Sequence, residues 1–321
     1  MTVISGKHSI PGKVLALTGG VGGAKMARGL IDCLAPEQLL IVANTGDDFE
    51  HLGLTISPDL DSVMYALADR NDTERGWGLA GETWQAMEAL GELGGPDWFR
   101  LGDRDLATHL RRSALLAEGQ SLTSVTSTLC QSLGIAYRLV PMTDDRVRTM
   151  VTTERGELAF QEYFVREQCA PKVKGFRFSG IEQASPSAEM MAWLESPELA
   201  AIVICPSNPF VSVDPILQLP GVRRAVAAAK APVIAVSPIV GGMAVKGPAA
   251  KMMEELAMPS TATAVAQWYD TLLSGFVIDL VDRSLAPSMA VETRVVSTMM
   301  TSLTSKRQLA RDVLDFALDL N

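Results

Sequence analysis

The feature that most constrains this chain is a glycine-rich stretch between an apolar run and a helix-forming segment. Residues 13–17 read Lys-Val-Leu-Ala-Leu, residues 18–25 read Thr-Gly-Gly-Val-Gly-Gly-Ala-Lys, and apolar residues then recur at helical spacing to position 31. This order predicts a strand, a tight loop and the N-terminus of a helix. Such a junction offers unpaired backbone N–H groups and the positive end of the helix dipole to a phosphate. We assign this phosphate site to Gly19, Gly20, Gly22, Gly23 and Lys25.

The sequence of the loop differs from those of two common phosphate-binding motifs. A dinucleotide fingerprint would place its third glycine where Lys25 stands, and a Walker A loop requires Gly-Lys-Ser/Thr, which is absent here. A glycine-rich first loop can also be a tight turn that binds nothing. Lys25 favours the phosphate site, because its ammonium group stands where it can reach a bound anion.

Composition limits the kinds of site that the chain can carry. Its 321 residues are 47% hydrophobic, which is enough for a substantial core. The four cysteines and three histidines are scattered without a CxxC pair, which argues against a zinc site and a disulfide framework. A net charge of −9 argues against general nucleic-acid binding. A divalent metal would therefore use carboxylates, which suits Mg²⁺.

No stretch of the sequence predicts a membrane segment. Gly, Pro or charged residues interrupt every apolar run before the roughly 18 residues that a span needs. Residues 1–12 lack the apolar core of a signal peptide, so we expect them to form a flexible leader. These observations predict a cytoplasmic protein.

The apolar runs predict an α/β fold. Residues 38–43 form a second continuous apolar run, and residues 199–205, 232–236, 275–279 and 293–296 predict further strands. Continuous apolar strands joined through helices indicate a Rossmann-like parallel sheet flanked by helices, with right-handed crossovers. We assign residues 13–60 and 199–321 to this core, as one discontinuous unit. Residues 61–198 are predicted to form a mainly helical insert with a small β-hairpin at 149–164.

The loops that follow the strands carry polar residues suited to a nucleotide and a metal. In parallel sheets ligands bind outside the carboxyl ends of the strands, so these loops should share one crevice. We assign cofactor binding to Asn44, Thr45, Ser207, Asn208 and Ser237, and metal binding to Asp47, Asp48 and Asp61.

Residues 57–61 read Ser-Pro-Asp-Leu-Asp and predict a helix start. Ser57 can cap that helix and Pro58 can occupy its first turn. A capping role explains Asp59 better than it explains Asp61.

Cations complete a set of residues suited to phosphoryl transfer. A dense charge cluster at 101–105 contains Arg104, and Lys246 and Lys251 follow a late strand. The cluster at 101–105 can also be a helix cap with a local ion pair. Phosphoryl transfer needs charge neutralisation, a metal on carboxylates and a positioned acceptor hydroxyl. Because no serine or cysteine lies in a nucleophile motif, we expect direct attack by the acceptor hydroxyl.

Eight blocks in order carry a family resemblance, from about residue 13 into the final helix. They are Thr-Gly-Gly-Val-Gly-Gly-Ala-Lys at 18–25, Asn-Thr-Gly-Asp-Asp at 44–48, Ser-Pro-Asp-Leu-Asp at 57–61, Arg-Gly-Trp-Gly at 75–78, Leu-Gly-Asp-Arg-Asp at 101–105 with Ala-Thr-His at 107–109, Pro-Met-Thr-Asp-Asp at 141–145, Pro-Ser-Asn-Pro at 206–209 and Ser-Pro-Ile-Val-Gly at 237–241. In this series the chain resembles the 2-phospho-L-lactate transferase family of coenzyme F420 biosynthesis.

The resemblance implies a magnesium-dependent phosphotransferase acting on substituted phosphate groups. Its donor would be a guanosine-diphosphate-linked three-carbon acid of the lactyl, enolpyruvyl or glyceryl type. The phospho-acid would pass to the terminal ribityl hydroxyl of the deazaflavin FO, with release of GMP, and the enzyme would be a homodimer. By position, Asp61 and Arg100 match residues associated with FO, and Asp61 with Asp47 or Asp48 matches the metal environment. We assign catalytic roles to Asp61 and Arg104.

We place the phosphates of the donor on residues 19–25. We place the guanosine of the donor against Ser207, Asn208 and Ser237. The tryptophans within 77–84 can cover the deazaflavin ring or belong to the core.

Three other functions stay open as alternatives. The first is a non-catalytic nucleotide-sugar-binding regulator of the gluconeogenesis-factor-like group, which shares the core and the glycine loop. The blocks at 58–61 and 101–105 favour the enzyme over it. An NAD-dependent dehydrogenase is disfavoured by Lys25, and the Asp-x-Asp at 59–61 is weak support for glycosyl transfer.

Overall fold

The computed structural model describes residues 10–321. The strands are β1 (Lys13–Thr18), β2 (Leu39–Ala43), β3 (Phe49–His51), β4 (Leu54–Ile56), β5 (Arg138–Pro141), β6 (Arg148–Thr153), β7 (Gly156–Ala159), β8 (Val173–Ser179), β9 (Leu199–Ile204), β10 (Val233–Val236), β11 (Ile239–Val240), β12 (Met243–Ala244), β13 (Gly275–Asp279) and β14 (Glu292–Val296). The α-helices are α1 (Gly20–Cys33), α2 (Pro58–Leu67), α3 (Gln85–Glu92), α4 (Asp103–Ala117), α5 (Leu122–Ser132), α6 (Ala188–Leu194), α7 (Asp214–Leu217), α8 (Val222–Ala228), α9 (Ala249–Glu255), α10 (Ala262–Tyr269) and α11 (Leu303–Asp319). Short π-helices cover Glu162–Arg166 and Pro209–Val213.

Seven strands form the central sheet in the order β14-β13-β10-β9-β1-β2-β5, with every neighbouring pair parallel. The chain moves from β1 outward through β2 and β5, and then returns to build the other half from β9 to β14. The order therefore reverses between β1 and β9, which is the point where such sheets bind ligands. The predicted Rossmann-like parallel sheet flanked by helices is confirmed.

Both faces of the sheet are buried, which explains the continuous apolar strands. In β1, Leu15 and Leu17 pack into the core on one face, while Val14 and Ala16 pack into the core on the other. Alternate side chains of a strand point to opposite faces, so both helical layers receive apolar residues from the same strand. In the described part of the chain, no helix is both long and apolar enough to cross a bilayer.

The region assigned to the insert contributes to two sheets. The predicted hairpin is present as β6 and β7, although its second strand ends at Ala159 and the π-helix at Glu162–Arg166 takes up the end of the predicted range. Strand β8 pairs with the other edge of β6. By contrast, β5 pairs in parallel with β2 and belongs to the central sheet. Its Leu139 and Val140 are buried, because a strand at this edge is still covered on both faces.

The predicted leader falls mostly on residues 1–9, which lie outside the described residues. Just after them, Ile10 is buried, and the Gln38 side-chain amide donates to the Ile10 carbonyl (3.0 Å). The packed part of the chain therefore includes residues ahead of β1.

Candidate functional site

A cleft of about 620 Å³ opens at the carboxyl ends of β1 and β9. Ten of the fifteen residues assigned from sequence line it: Gly19, Gly20, Gly22, Lys25, Asp47, Asp61, Arg100, Ser207, Asn208 and Ser237. Five lie outside its lining: Gly23, Asn44, Thr45, Asp48 and Arg104. Loops far apart in sequence thus meet at one edge of the sheet.

The glycine loop begins α1 and is held by neighbouring side chains. Gly20 has a φ of 62°, a left-handed conformation that favours glycine. Its N–H donates to Asp59 Oδ1 (2.7 Å), so a carboxylate of the protein itself lies at the positive end of the helix. The Ser207 hydroxyl accepts from the Gly19 N–H (3.2 Å) and donates to the Gly19 carbonyl (2.8 Å), which ties the β1 loop to the β9 loop.

Two of the glycines are explained by packing within the protein. A Cβ on Gly22 would lie 2.2 Å from the Pro206 carbonyl oxygen, and a Cβ on Gly23 would lie 2.0 Å from Thr18 Oγ1. These glycines therefore let the first turn of α1 lie against the ends of β1 and β9. Phosphate contact is not needed to explain them.

The side chains of Asp59 and Ser57 form hydrogen bonds with groups outside α2. Besides the Gly20 N–H, Asp59 accepts a hydrogen bond from Asn44 Nδ2 (2.9 Å), and it lines the cleft. Ser57 occupies the N-cap position of α2 as expected, but its hydroxyl makes no cap hydrogen bond and instead donates to Asp48 Oδ2 (2.7 Å). Pro58 occupies the first turn of α2, as expected.

The acidic residues near the loop are buried and incompletely paired. Asp47 Oδ1 and Asp48 Oδ1 are inaccessible to water and have no hydrogen-bond partner among residues 10–321. Burial raises the pKa of Asp47 well above its usual value, and the charge of Asp59 raises it further. Burial also raises the pKa of Asp48 to about 7 and that of Asp59 to about 6. The negative charge here is therefore poorly compensated by the protein.

Within residues 10–321, no group of three His, Cys, Asp or Glu side chains is arranged to hold a metal ion. Asp47 and Asp59 both line the cleft, and carboxylate oxygens are the ligands that Mg²⁺ prefers; Asp47 Oδ1 has no protein partner, but it is buried beneath the surface of the cleft. Because Mg²⁺ commonly takes one or two carboxylates and completes its shell with substrate phosphates and water, this pair fits the ion. Asp48 is less suited, since it lies behind the lining.

Asp61 belongs to a second polar group, formed between α2 and α4. Its two oxygens accept from the guanidinium of Arg112, with Nη1–Oδ2 at 3.1 Å. Arg112 Nη1 also lies 3.2 Å from His109 Nδ1, and the Tyr65 hydroxyl donates to Asp105 Oδ1 (2.5 Å). All of these residues except Arg112 line the cleft.

The roles of Tyr65, Asp105, His109 and Arg112 were missed from sequence, although a signal was present. Positions 61 and 65 share a face of α2, and positions 105, 109 and 112 share a face of α4. Polar residues at helical spacing on a buried face point to a site.

The sequence analysis also singles out Arg104, Lys246 and Lys251 as cations, and of these three only Lys246 lines the cleft. Lys246 Nζ donates to the Arg75 carbonyl (2.9 Å), and its charge lies near Lys25. Burial lowers the pKa of Lys25, and Lys306 and Lys246 lower it further. Lys251 pairs with Glu255. Arg104 donates to the Ala80 carbonyl (2.8 Å) outside the lining.

Aromatic side chains cover the insert side of the cleft. Trp77 is 45% exposed and lines it, so it is not a core residue. Trp84 lies behind, with the Arg75 and Arg100 guanidinium groups 4.9 and 4.7 Å from its ring centre. Four more aromatic residues that sequence did not assign also line the cleft: Trp98, Phe99, Phe160 and Phe164.

Comparison with known proteins gives consistent results. Residues 14–311 match the family described as 2-phospho-L-lactate transferase CofD. The chain is 42% identical over 315 residues to a phosphoenolpyruvate transferase from Kitasatospora aureofaciens, covering 95% of this chain and 98% of the relative. It is 37% identical over 306 residues to a 2-phospho-L-lactate transferase from Methanosarcina mazei, covering 94% and 99%.

A solved structure of a UPF0052 family member from Bacillus halodurans aligns with a TM-score of 0.59 at 14% identity, covering 90% of this chain and 93% of the other. At that identity the likeness shows the fold alone. The regulator alternative is not favoured, because relatives with far higher identity over nearly the whole chain are named as transferases. The chain therefore belongs to the 2-phospho-L-lactate transferase family, and the family resemblance of its eight sequence blocks is confirmed.

Proposed function

We propose that this chain transfers a phospho-three-carbon-acid from a guanosine-diphosphate-linked donor to the terminal ribityl hydroxyl of FO, a step of coenzyme F420 biosynthesis. Family membership and the names of the relatives support a transferase of this type. The hydroxyl oxygen of FO forms a bond to the phosphorus that bears the acid. The bond from that phosphorus to the bridging oxygen breaks, GMP leaves with the electron pair, and the hydroxyl proton is released.

The observation that carries the proposal is the incompletely paired acid group beside the first turn of α1. Asp47 has a buried oxygen without a partner, and Asp59 lies at the helix N-terminus, both in the cleft with Lys25. We propose that Asp47 and Asp59 hold Mg²⁺. When bound, the ion neutralises charge on the donor phosphates and so allows them to lie beside carboxylates.

The walls of the cleft suggest where each substrate binds. The donor phosphates face the first turn of α1, with Lys25 and Lys246 as their cations. The guanosine lies against Ser207, Asn208 and Ser237, and the flat deazaflavin ring lies among Trp77, Trp98 and Phe99 near Arg100. Asp61, held by Arg112, accepts a hydrogen bond from the attacking hydroxyl.

A coupled assay tests the proposal. Purified protein is combined with Mg²⁺, FO, GTP, a guanylyltransferase and, separately, phosphoenolpyruvate, phospholactate or 3-phosphoglycerate, and products are read by mass spectrometry. Phosphoenolpyruvate is tried first, after the name of the Kitasatospora relative. We expect two products in equal amounts: FO that carries the phospho-acid, and GMP. Neither product should form without Mg²⁺. No adduct with any of the three acids would contradict the proposal.

The Asp61→Asn variant tests the acceptor side of the site in the same assay. It keeps the size of the side chain but removes the charge, so we expect kcat to fall by about 10³-fold. Unchanged turnover would remove Asp61 from the mechanism.

We also propose that the enzyme is a homodimer, which the family resemblance supports. Light scattering on the purified protein should give twice the mass of one chain. A monomer at assay concentrations would contradict this part of the proposal alone.

A further inference from the structure

Arg112 is a buried cation behind the wall of the cleft. It is 1% exposed, and it is the largest of the side chains that are wholly inside the described part of the protein. Its guanidinium serves two neighbours. Nη1 donates to Asp61 Oδ2 (3.1 Å) and lies 3.2 Å from His109 Nδ1, while Nη2 donates to Asp61 Oδ1. One side chain thus fixes two residues that line the cleft.

Stability alone does not explain a buried ion pair of this kind. Removing two charges from water is costly, and well-packed apolar residues in their place are often as stable or more stable. Arg112 Nε, moreover, is buried without a partner among residues 10–321. The pair is better explained by the orientation that it imposes on the Asp61 carboxylate.

The same guanidinium determines the tautomer of His109. Arginine has no acceptor, so Nδ1 of the imidazole must accept the hydrogen bond from Arg112 and the proton must be on Nε2. His109 Nε2 lies 3.4 Å from Asp105 Oδ1, which already accepts from the Tyr65 hydroxyl. Nε2 makes no hydrogen bond among residues 10–321, so the contact with Arg112 is the hydrogen bond that orients the imidazole.

We propose that Arg112 is a positioning residue for the transfer reaction. It holds the Asp61 carboxylate in one orientation toward the acceptor hydroxyl, and it holds His109 as the Nε2–H tautomer. The kinetic part of this inference rests on the proposed function, whereas the tautomer part does not.

Kinetics of single and double variants test the positioning role. We expect Arg112→Met to lower kcat by about 10²-fold through misplacement of Asp61, with little change in KM for either substrate. Arg112→Lys, which keeps the charge, should recover part of the loss. Arg111→Met removes an exposed guanidinium one residue away on α4 and should have the wild-type kcat.

The double variant separates positioning from an independent effect. Because Arg112 acts through Asp61, Asp61→Asn with Arg112→Met should turn over as slowly as Asp61→Asn alone. The double variant removes both charges of the pair and so leaves no unpaired buried charge. It can therefore fold even if Arg112→Met, which leaves Asp61 unpaired, does not. Wild-type kcat in Arg112→Met, or losses that multiply in the double variant, would overturn the inference while leaving the proposed function intact.

Nitrogen-15 NMR of the full chain tests the tautomer without turnover. The chain has three histidines, so the His109 signals can be assigned by their loss in His109→Gln. We expect a neutral imidazole with the proton on Nε2 in the wild type, and loss of that single form in Arg112→Met. A proton on Nδ1 in the wild type would overturn the inference even if the enzyme is fully active.

Discussion

Two groups of charged side chains lie at opposite ends of α1, and they differ in how their charges are balanced. Toward the C-terminal end, Arg28 donates to Asp69 and Asp32 (both 2.7 Å), and Arg307 donates to Asp32 (2.6 Å). At the N-terminal end, Asp59 accepts from backbone and amide groups, whereas Asp47 and Asp48 each keep an oxygen without a partner. We call these the C-terminal group (Arg28, Asp32, Asp69, Arg307) and the N-terminal group (Asp47, Asp48, Asp59).

The pKa of Asp32 in the C-terminal group moves in the opposite direction to the pKa values of the acids in the N-terminal group. Burial raises the pKa of Asp32, but hydrogen bonds from Arg28 and Arg307 outweigh burial and leave it below its usual value. In the N-terminal group, burial raises the pKa of Asp48 to about 7 and that of Asp59 to about 6. The C-terminal group is paired within the protein and lies away from the cleft, which is typical of a structural role. The N-terminal group has carboxylate oxygens without a partner, and two of its three acids line the cleft, so it is suited to a ligand.

The largest expected effect comes from removing one acid of each group. Asp47→Asn should lower kcat/KM in Mg²⁺ by about 10³-fold, because a charge that holds the metal is lost. The matched Asp32→Asn should keep wild-type turnover and instead lose about 1–3 kcal/mol of unfolding free energy. Steady-state assays and urea unfolding of both variants measure the difference. Full activity in Asp47→Asn would show that the N-terminal group is structural as well.

The two groups should also respond oppositely to pH. The folded chain keeps a proton on Asp48 that the unfolded chain, with its ordinary pKa of 3.8, has already released. The free energy of unfolding should therefore fall as pH rises from about 4 to about 7, by on the order of 1–4 kcal/mol. The lowered pKa of Asp32 acts in the other direction: its contribution is present above about pH 4 and is lost as pH falls further.

Urea unfolding at pH 5 and pH 8, with and without Mg²⁺, measures this prediction. Mg²⁺ should restore stability at pH 8, because it binds the folded chain alone. Burial also raises the pKa of Asp214 to about 7, and this residue lies outside the cleft. Asp214 therefore lowers the free energy of unfolding over the same pH range. The part of the pH dependence that Mg²⁺ removes is the part that belongs to the N-terminal group. No effect of Mg²⁺ at pH 8 would argue against a metal site on these acids.

A smaller effect is expected from Lys25, a cation that lines the same cleft as Asp47 and Asp59. Lys25→Ala should weaken binding of GDP, used as a probe for the donor, by about 10- to 100-fold, since a hydrogen bond to a charged group contributes about 1.5–3 kcal/mol. Asn208→Ala should also weaken GDP binding, and FO affinity should be kept in both variants. Lys251→Ala is the matched control, because its ammonium group pairs with Glu255 outside the cleft. Calorimetry that gives wild-type GDP affinity in Lys25→Ala would place the phosphates elsewhere.

The smallest effect is expected for Arg104. Sequence assigns it a catalytic role, yet its guanidinium donates to the Ala80 carbonyl and does not line the cleft. Arg104→Ala should therefore leave kcat nearly unchanged and lose about 0.5–1.5 kcal/mol of stability at most. A large fall in kcat at unchanged stability would support the catalytic role over the position seen in the structure.

The sequence by itself determined the sheet and the place of the site. Continuous apolar runs such as 13–17 and 38–43 require a sheet that is covered on both faces, and parallel strands bring their carboxyl ends to one edge. For that reason the loops at Gly19, Asn44, Ser207 and Ser237 could be placed near one another without knowing any contact. These inferences need only local patterns and a general rule of topology.

Only the tertiary structure decided which side chains pair across that edge. Asp59 caps α1, 39 residues away, and not its own helix, while Arg112 holds Asp61 from 51 residues along the chain. Helical spacing predicts the face on which a residue lies, but the neighbour of that face depends on how two helices pack against each other. The strand order and these packing contacts are set by the whole core. They bring Gly22 against Pro206 and leave Arg104 outside the cleft.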